Sequence, residues 1–398
     1  MEAIIHKHID TLEEILPQWT ELKEDFLEIT VFQDISWLKS WWDYKQEEWK
    51  ITPYIVEVKK ENKTIGIIPL YLSDNEFCGF NFRVLRPIGI DQSDYLVPIL
   101  SKRYSSTDIV KKAMEKIYAD KDNWDYFEWR DIPEGSTFDL ALKNELQERS
   151  NLMERKKDNI CPHLVLNKNT EMVVEKFNGS FLKGLLRYDR KLKREGELKF
   201  HKVYKETEIE PVMSSFFELH CKRWKDTSTP SKFEDKKERE FAMQAAKGLF
   251  KSNLLYLVYL THNDNILVVF FGMKDGTNIY YYIHAMDPDY KKYKVGHLIM
   301  YYLILDSIEK KYNIVDFLRG DEPYKYNWGT TNKFNIKYLF FSYSVRSVFF
   351  RLIYSIYNTY YSKRFSKKPL AIQLLMKSII RSGIFALGLK RKLRQKLG

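Results

Sequence analysis

The sequence predicts an α/β protein of two tandem halves, each built on a mixed central sheet, followed by a basic helical tail. Three observations lead there. An order of strand, turn, strand, strand, loop, helix and strand runs through residues 53–131 and returns through residues 254–318. The two series close alike, with DYFEWRD at 125–131 and VDFLRGD at 315–321. Beyond Glu322 the chain has 16 Lys and Arg and no Asp or Glu, while the first 322 residues carry 49 basic and 54 acidic groups. The net charge of +11 therefore belongs to one end and describes a local contact surface, not the whole molecule.

The first series opens with alternating, β-branched residues at 53–59 (PYIVEVK), a tight turn at 61–63 and a returning strand at 65–72 (IGIIPLYL). Short apolar runs follow at 83–88 and 95–100. Residues 106–118 put Ile109, Val110, Ala113, Met114 and Ile117 on one helical face. A last strand at 125–130 ends at Asp131. Between the halves, residues 175–195, 210–225 and 234–250 are charged and helical in pattern. The second series has strands at 254–260, 266–273 and 279–284, turns at 262–265 and 275–277, a loop at 287–296, a helix at 297–310 and a strand at 314–318. The expected division is 1–160 for the first half, 161–340 for the second and 341–398 for the tail.

Composition narrows the function classes. Charged residues at 30% and hydrophobic ones at 44% describe a folded chain, not a disordered one. Cys78, Cys161 and Cys221 have no metal-like spacing, and their odd number fits a reducing compartment better than a disulfide framework. His163, His201, His220 and His262 share no spacing with Cys or carboxylates, so no metal site is expected. The first residues lack a basic stretch followed by an apolar one, and no run of 18 apolar residues occurs, so the expected place is cytoplasmic. Nucleic acid is not an expected partner, because the body is net acidic. In the tail, Phe349, Phe350, Leu352, Ile353, Tyr357, Leu374, Leu375, Ile379, Ile380 and Phe385 are interleaved with Lys and Arg alone. Residues 344–397 thus suit either an anionic surface on the inner face of a membrane or a helical pair docked with its lysines outward.

ILVVFFGMKDGTNIYYYIHAMDPDYKKYKVGHLIMYYLI and VDFLRGDEPYKYNW in the second half, with LRYDRKLKREGELKF and FFELHCKRW before them, carry a family likeness. Over residues 30–340 the chain resembles the GNAT superfamily, and more closely its bacterial BioF2-like or CelD-type (cellulose-biosynthesis-associated) acetyltransferases, which in turn resemble the two-domain Fem-type transferases. The resemblance implies two GNAT-like halves and transfer of an acyl group, acetyl in the first instance, from acyl-CoA to an amine or hydroxyl. The acceptor it implies is a sugar or cell-envelope polysaccharide precursor. Two alternatives stay open: a Fem-like enzyme taking an aminoacyl group from tRNA, and a non-catalytic scaffold that binds polysaccharide or membrane.

The resemblance also assigns candidate roles. Lys292, Lys294, Val295, Gly296 and His297 lie where a loop opens a helix, whose N–H groups and positive end receive an anion such as the pyrophosphate of CoA. His297 stands where the family commonly has a small residue, and a solvated basic turn is the plain alternative. Asp316, Arg319, Asp321, Glu322 and Tyr324 follow a buried strand, at the edge where ligands meet an α/β sheet. Asp321 or Glu322 can act as general base, Tyr324 can protonate a departing thiolate, and Arg319 can pair with an acid. His284 ends its strand where an attacking group approaches. On the acceptor side stand Asp91, Asp94 and Tyr95 in the first half and Lys325 and Trp328 in the second. Arg187, Arg190, Lys191, Lys193 and Arg194 form a basic helix face that is either solvated or ligand-facing. The first half has no glycine-containing basic loop before its helix, so no CoA is expected there.

Overall fold

The computed structural model describes residues 1–166, 169–225 and 227–361, apart from the side chains of 47, 48 and 359–361. The α/β class is as expected, but the two expected sheets are one. Among the described residues a single 13-stranded mixed sheet runs through both halves. Its first-half side comprises Glu2–His6, Thr52–Lys60, Lys63–Phe77, Phe80–Pro87 and Tyr126–Pro133. Its second-half side comprises Ile314–Asp316, Asn278–Met286, Asn265–Lys274, Leu255–His262 and Leu198–Lys202.

Two strands that the pattern did not announce join these sides. Thr331–Phe341, after the second half, pairs antiparallel with Tyr126–Pro133 of the first. Its other edge pairs with Met153–Val165, which pairs in turn with Ile314–Asp316. Each half is therefore completed by a strand from the far side of the chain, and the expected division at 160/161 falls inside Met153–Val165. The segment at 95–100 contributes only the two-residue strand Ile99–Leu100.

Both faces of the sheet are covered. On one, a core common to both halves packs Trp37, Trp41, Phe216, Phe241, Val269, Phe271 and Tyr338. Helix Ile35–Trp49 meets helix Lys236–Lys251 there, and a Cβ on Gly248 would lie 2.6 Å from Cβ of Ser36, so the glycine sets the approach. On the other face of the second half, helices Gly179–Glu195 and Val295–Glu309 bury Leu185, Leu192, Leu298 and Leu303 against Val258, Phe270 and Tyr281. A small third core holds helix Val345–Tyr361 through Phe350 and Ile353. Leu374, Leu375, Ile379, Ile380 and Phe385 of the expected tail lie outside the described residues. No helix among the described residues is long and apolar enough to cross a membrane.

One departure from regular pairing positions the site. Asn278–Met286 and Ile314–Asp316 are parallel neighbours only from Asn278↔Ile314 to Tyr280↔Asp316. Beyond that point the strand to Met286 and the chain after Asp316 part, leaving a wedge in the sheet.

Candidate active site

One wall of the wedge is the start of helix Val295–Glu309. Its N-cap residue is Lys294, whose φ of 53° is left-handed and whose side chain caps nothing. The first-turn N–H groups thus have no side-chain acceptor, and the positive end of a 15-residue helix points outward. Gly296 faces the strand so closely that a Cβ would sit 2.9 Å from His284 Nε2 and 3.3 Å from Met286 Sδ. A cavity of about 370 Å³ opens here, with Arg223, Lys291 and Lys294 among its lining residues and His284, Met286 and Met300 in its walls. Among the described residues no acidic side chain lines it. Of the residues expected at a cofactor site, Lys294, Gly296 and His297 line this cavity. The Val295 side chain is buried in the core, and Lys292 Nζ lies over the Tyr293 ring, 5.0 Å from its centroid. Arg223, Met286 and Met300 were not singled out from the sequence, although FFELHCKRW ends next to Arg223.

His284 Nδ1 is 2.9 Å from Tyr281 Oη. Burial, with the nearby Arg223 charge second, pushes its pKa down to about 3. The ring is therefore neutral near pH 7 and too weakly basic to hold a substrate proton, which suits hydrogen bonding better than general-base work. His297 is pushed down to about 4 by burial and then by Lys294, and it packs among Phe181, Tyr324 and Trp328.

The opposite wall is the loop after Asp316. Tyr95 Oη donates to Asp316 Oδ2 at 2.8 Å, and the Leu318 N–H donates to Oδ1 at 2.8 Å. Leu318 has φ +57° and Gly320 φ +118°, so the chain turns through two left-handed positions within three residues. Lys325, almost wholly buried, holds that turn from beneath: its Nζ donates to the carbonyls of Arg319 at 2.9 Å and Gly320 at 3.1 Å and pairs with Glu322 at 2.9 Å. Arg319 fastens the loop to the first half. Its backbone N–H donates to Asp94 Oδ1 at 3.1 Å, its Nη1 to Asp131 Oδ2 at 2.9 Å, and its Nη2 to the Asp91 carbonyl. Burial raises Asp94, Asp131 and Asp316 each to about 6, with Arg319 opposing the rise at the first two. Asp316, Tyr95, Lys325 and Arg319 are thus the frame of the loop. Trp328 is fully buried between Phe177 and Phe181.

A second cavity, about 260 Å³, lies between this loop and the first half, and Asp91, Gln92, Asp94, Lys232, Arg319 and Glu322 are among its lining residues. Asp91 and Asp94, the first-half candidates, both line it. Gln92 was missed; its carbonyl and side-chain oxygens accept from Tyr282 Oη at 3.1 and 3.0 Å, fixing the two halves across the cavity. Asp321 is exposed and accepts from Tyr326 Oη. On the neighbouring helix, Lys193 is paired with Asp189 at 2.9 Å and Lys191 with Glu195 at 3.7 Å.

Tyr324 lines both cavities. Burial, then the Glu322 charge, pushes its hydroxyl up to about 12, so near neutrality it is a proton donor. Glu322 stands on the acceptor side of the same tyrosine as an exposed carboxylate. Among the described residues no group of His, Cys, Asp and Glu is arranged to hold a metal ion.

A family model described as acetyltransferase (GNAT) domain matches residues 179–326, the stretch that contains the wedge, both its walls and Tyr324. No curated protein matches the sequence. Solved structures share the fold at low identity. FemX aligns with a TM-score of 0.56 at 12% identity, over 89% of this chain and all of its own. A conserved protein of unknown function from Bacteroides thetaiotaomicron VPI-5482 aligns at 0.51 and 10%, over 85% of this chain and 99% of its own. L-PGS from Bacillus licheniformis aligns at 0.50 and 11%, over 87% and 96%. Residues 179–326 thus match a GNAT acetyltransferase domain, and the chain as a whole shares the fold of FemX.

Proposed function

We propose that this protein transfers an acyl group, acetyl in the simplest case, from acyl-CoA to a hydroxyl or amine of a sugar or cell-envelope precursor. The observation that carries this is the meeting of two unlike cavities at Tyr324, one cationic at its rim and one between the halves. The first fits the diphosphate of CoA: an uncapped helix start, Lys291, Lys294 and Arg223 supply donors and positive charge, and Gly296 leaves room. Bound there, CoA would supply the acyl group as an activated thioester. The chain's own residues do the rest. Asp91, Gln92 and Asp94 orient an acceptor. Glu322 takes the proton of the attacking hydroxyl or amine. Tyr324 holds a proton for the sulfur that leaves, which its raised pKa keeps in place at pH 7.

The test measures melting temperature with saturating acetyl-CoA for wild type and for the double variant Arg223→Glu/Lys291→Glu. A ligand that binds only the folded state raises the melting temperature by mass action. A rise in wild type that the variant loses supports the donor site. Absence of a rise with any acyl-CoA would overturn the CoA donor and favour an aminoacyl-tRNA donor or a scaffold.

A further inference from the structure

We propose that helix Val345–Tyr361 docks the protein on an anionic lipid surface. The helix has two apolar stripes. Phe350 and Ile353 on the first are buried against the sheet, where the Phe350 ring stacks on Tyr126 with centroids 3.8 Å apart. The second points away. Val345, Val348, Phe349 and Leu352, at relative positions i, i+3, i+4 and i+7, are 86%, 56%, 41% and 58% exposed. The exposed ring of Phe80 extends this stripe through an edge contact with Phe349 at 5.1 Å. A helix held to a protein by one face ordinarily turns polar residues to water on the other. A contiguous apolar stripe there marks a contact surface.

Charge decides what it contacts. From residue 323 onward the sequence has 16 Lys and Arg and no acid, and 11 of these follow the helix. Beside the helix start, Asp125 is already taken by Arg83 and by Arg346 of the helix itself. An exposed apolar stripe continued by an all-cationic sequence matches the acyl boundary and headgroups of an anionic bilayer. A second copy on the same face would bring like-charged segments together, which disfavours self-association.

The experiment is co-sedimentation of the full chain with vesicles of phosphatidylcholine, alone or with one part in three phosphatidylglycerol. Wild type is expected to partition to the mixed vesicles and, weakly if at all, to the neutral ones. Val345→Ser/Val348→Ser/Leu352→Ser changes only exposed side chains, so its melting curve stays that of wild type while its partitioning falls about tenfold. The milder pair Val345→Ser/Leu352→Ser is expected to fall between the two. Wild type remaining in the supernatant overturns the proposal. So does a triple variant that partitions like wild type, which moves the lipid contact elsewhere. A wild-type dimer that the triple variant makes monomeric in light scattering overturns it too, by giving the face to a second copy.

Discussion

The two halves use the same device to opposite ends. In each, a pair of parallel strands separates after a few residues: Asn278–Met286 from Ile314–Asp316 in the second half, and Phe80–Pro87 from Tyr126–Pro133 in the first, where only Val84↔Tyr126 and Leu85↔Phe127 pair. In the first half Arg86 Nε bridges the gap to Glu128 Oε2 at 2.8 Å, with Lys337 on the same carboxylate, and Arg86 and Glu128 line a cavity of about 450 Å³ that also holds Asp74, Asp91 and Arg130. The helix that follows, Ser106–Ala119, is capped by the Ser105 hydroxyl and has Asp108 in its first turn. In the second half the helix starts uncapped behind a lysine. A parting of strands is thus architecture, and what suits one of the two to an anionic ligand is a helix end left without a cap.

This contrast can be broken at either end. The largest effect belongs to the open wedge. Tyr324→Phe removes the proton donor between the cavities and is expected to lower kcat by about 10²–10⁴-fold in a thiol-release assay with a productive sugar acceptor, while the urea midpoint stays unchanged. At the Arg86–Glu128 bridge the effect falls on stability instead. Burial works against the charge of Glu128, but Arg86 and Lys337 outweigh it and hold its carboxyl down at about 2. Glu128→Gln leaves both cations short of a partner and should cost about 3 kcal/mol in urea unfolding, with the acetyl-CoA thermal shift intact.

The third test sharpens the electrostatics of the open wedge through pH. His284 binds a proton in the unfolded chain near pH 6.5 but in the folded protein only near 3, so its contribution is present above pH 6.5 and is lost as pH falls. His284→Gln lacks that loss. Between pH 7 and pH 5 its stability should gain on wild type by roughly 1 to 2 kcal/mol, read as the difference of two urea titrations. The smallest effect is at the capped helix, where Ser105→Ala should cost about 1 kcal/mol and change no ligand shift.

How far the sequence announces all this depends on whether a feature is local. The helix at 297–310 and strand at 314–318 are visible because apolar runs and turn residues alternate within a few positions. The observed helix starts two residues earlier, at Val295. Met153–Val165 escapes because Glu154, Arg155, Lys156, Lys157 and Asp158 resemble a solvated loop. Their charges are met by partners out of view of the local sequence, Arg155 by Asp139 at 2.9 Å among them. Thr331–Phe341 has a period-two signal in Phe334, Ile336, Tyr338 and Phe340, hidden only by the expectation that the second half was already complete. At the site, the polar cluster at 316–325 stands out in the sequence, but the division of labour within it does not. Arg319 meets Asp131 at a sequence separation of 188, and Tyr95 meets Asp316 at one of 221. Nothing short of the fold says that these form a frame while Glu322 and Tyr324 face the cavities.

The woven strands carry a consequence for how the molecule comes into being. Because Thr331–Phe341 lies between Tyr126–Pro133 and Met153–Val165, the first half cannot finish its sheet until that strand has been made; this last partner leaves the ribosome some 200 residues after Tyr126–Pro133 does. Until then two strand edges stand open, and edges of that kind recruit other chains. Contacts this distant in sequence form late. The nascent protein should therefore depend on holding chaperones, and the two halves should melt in one cooperative transition rather than two.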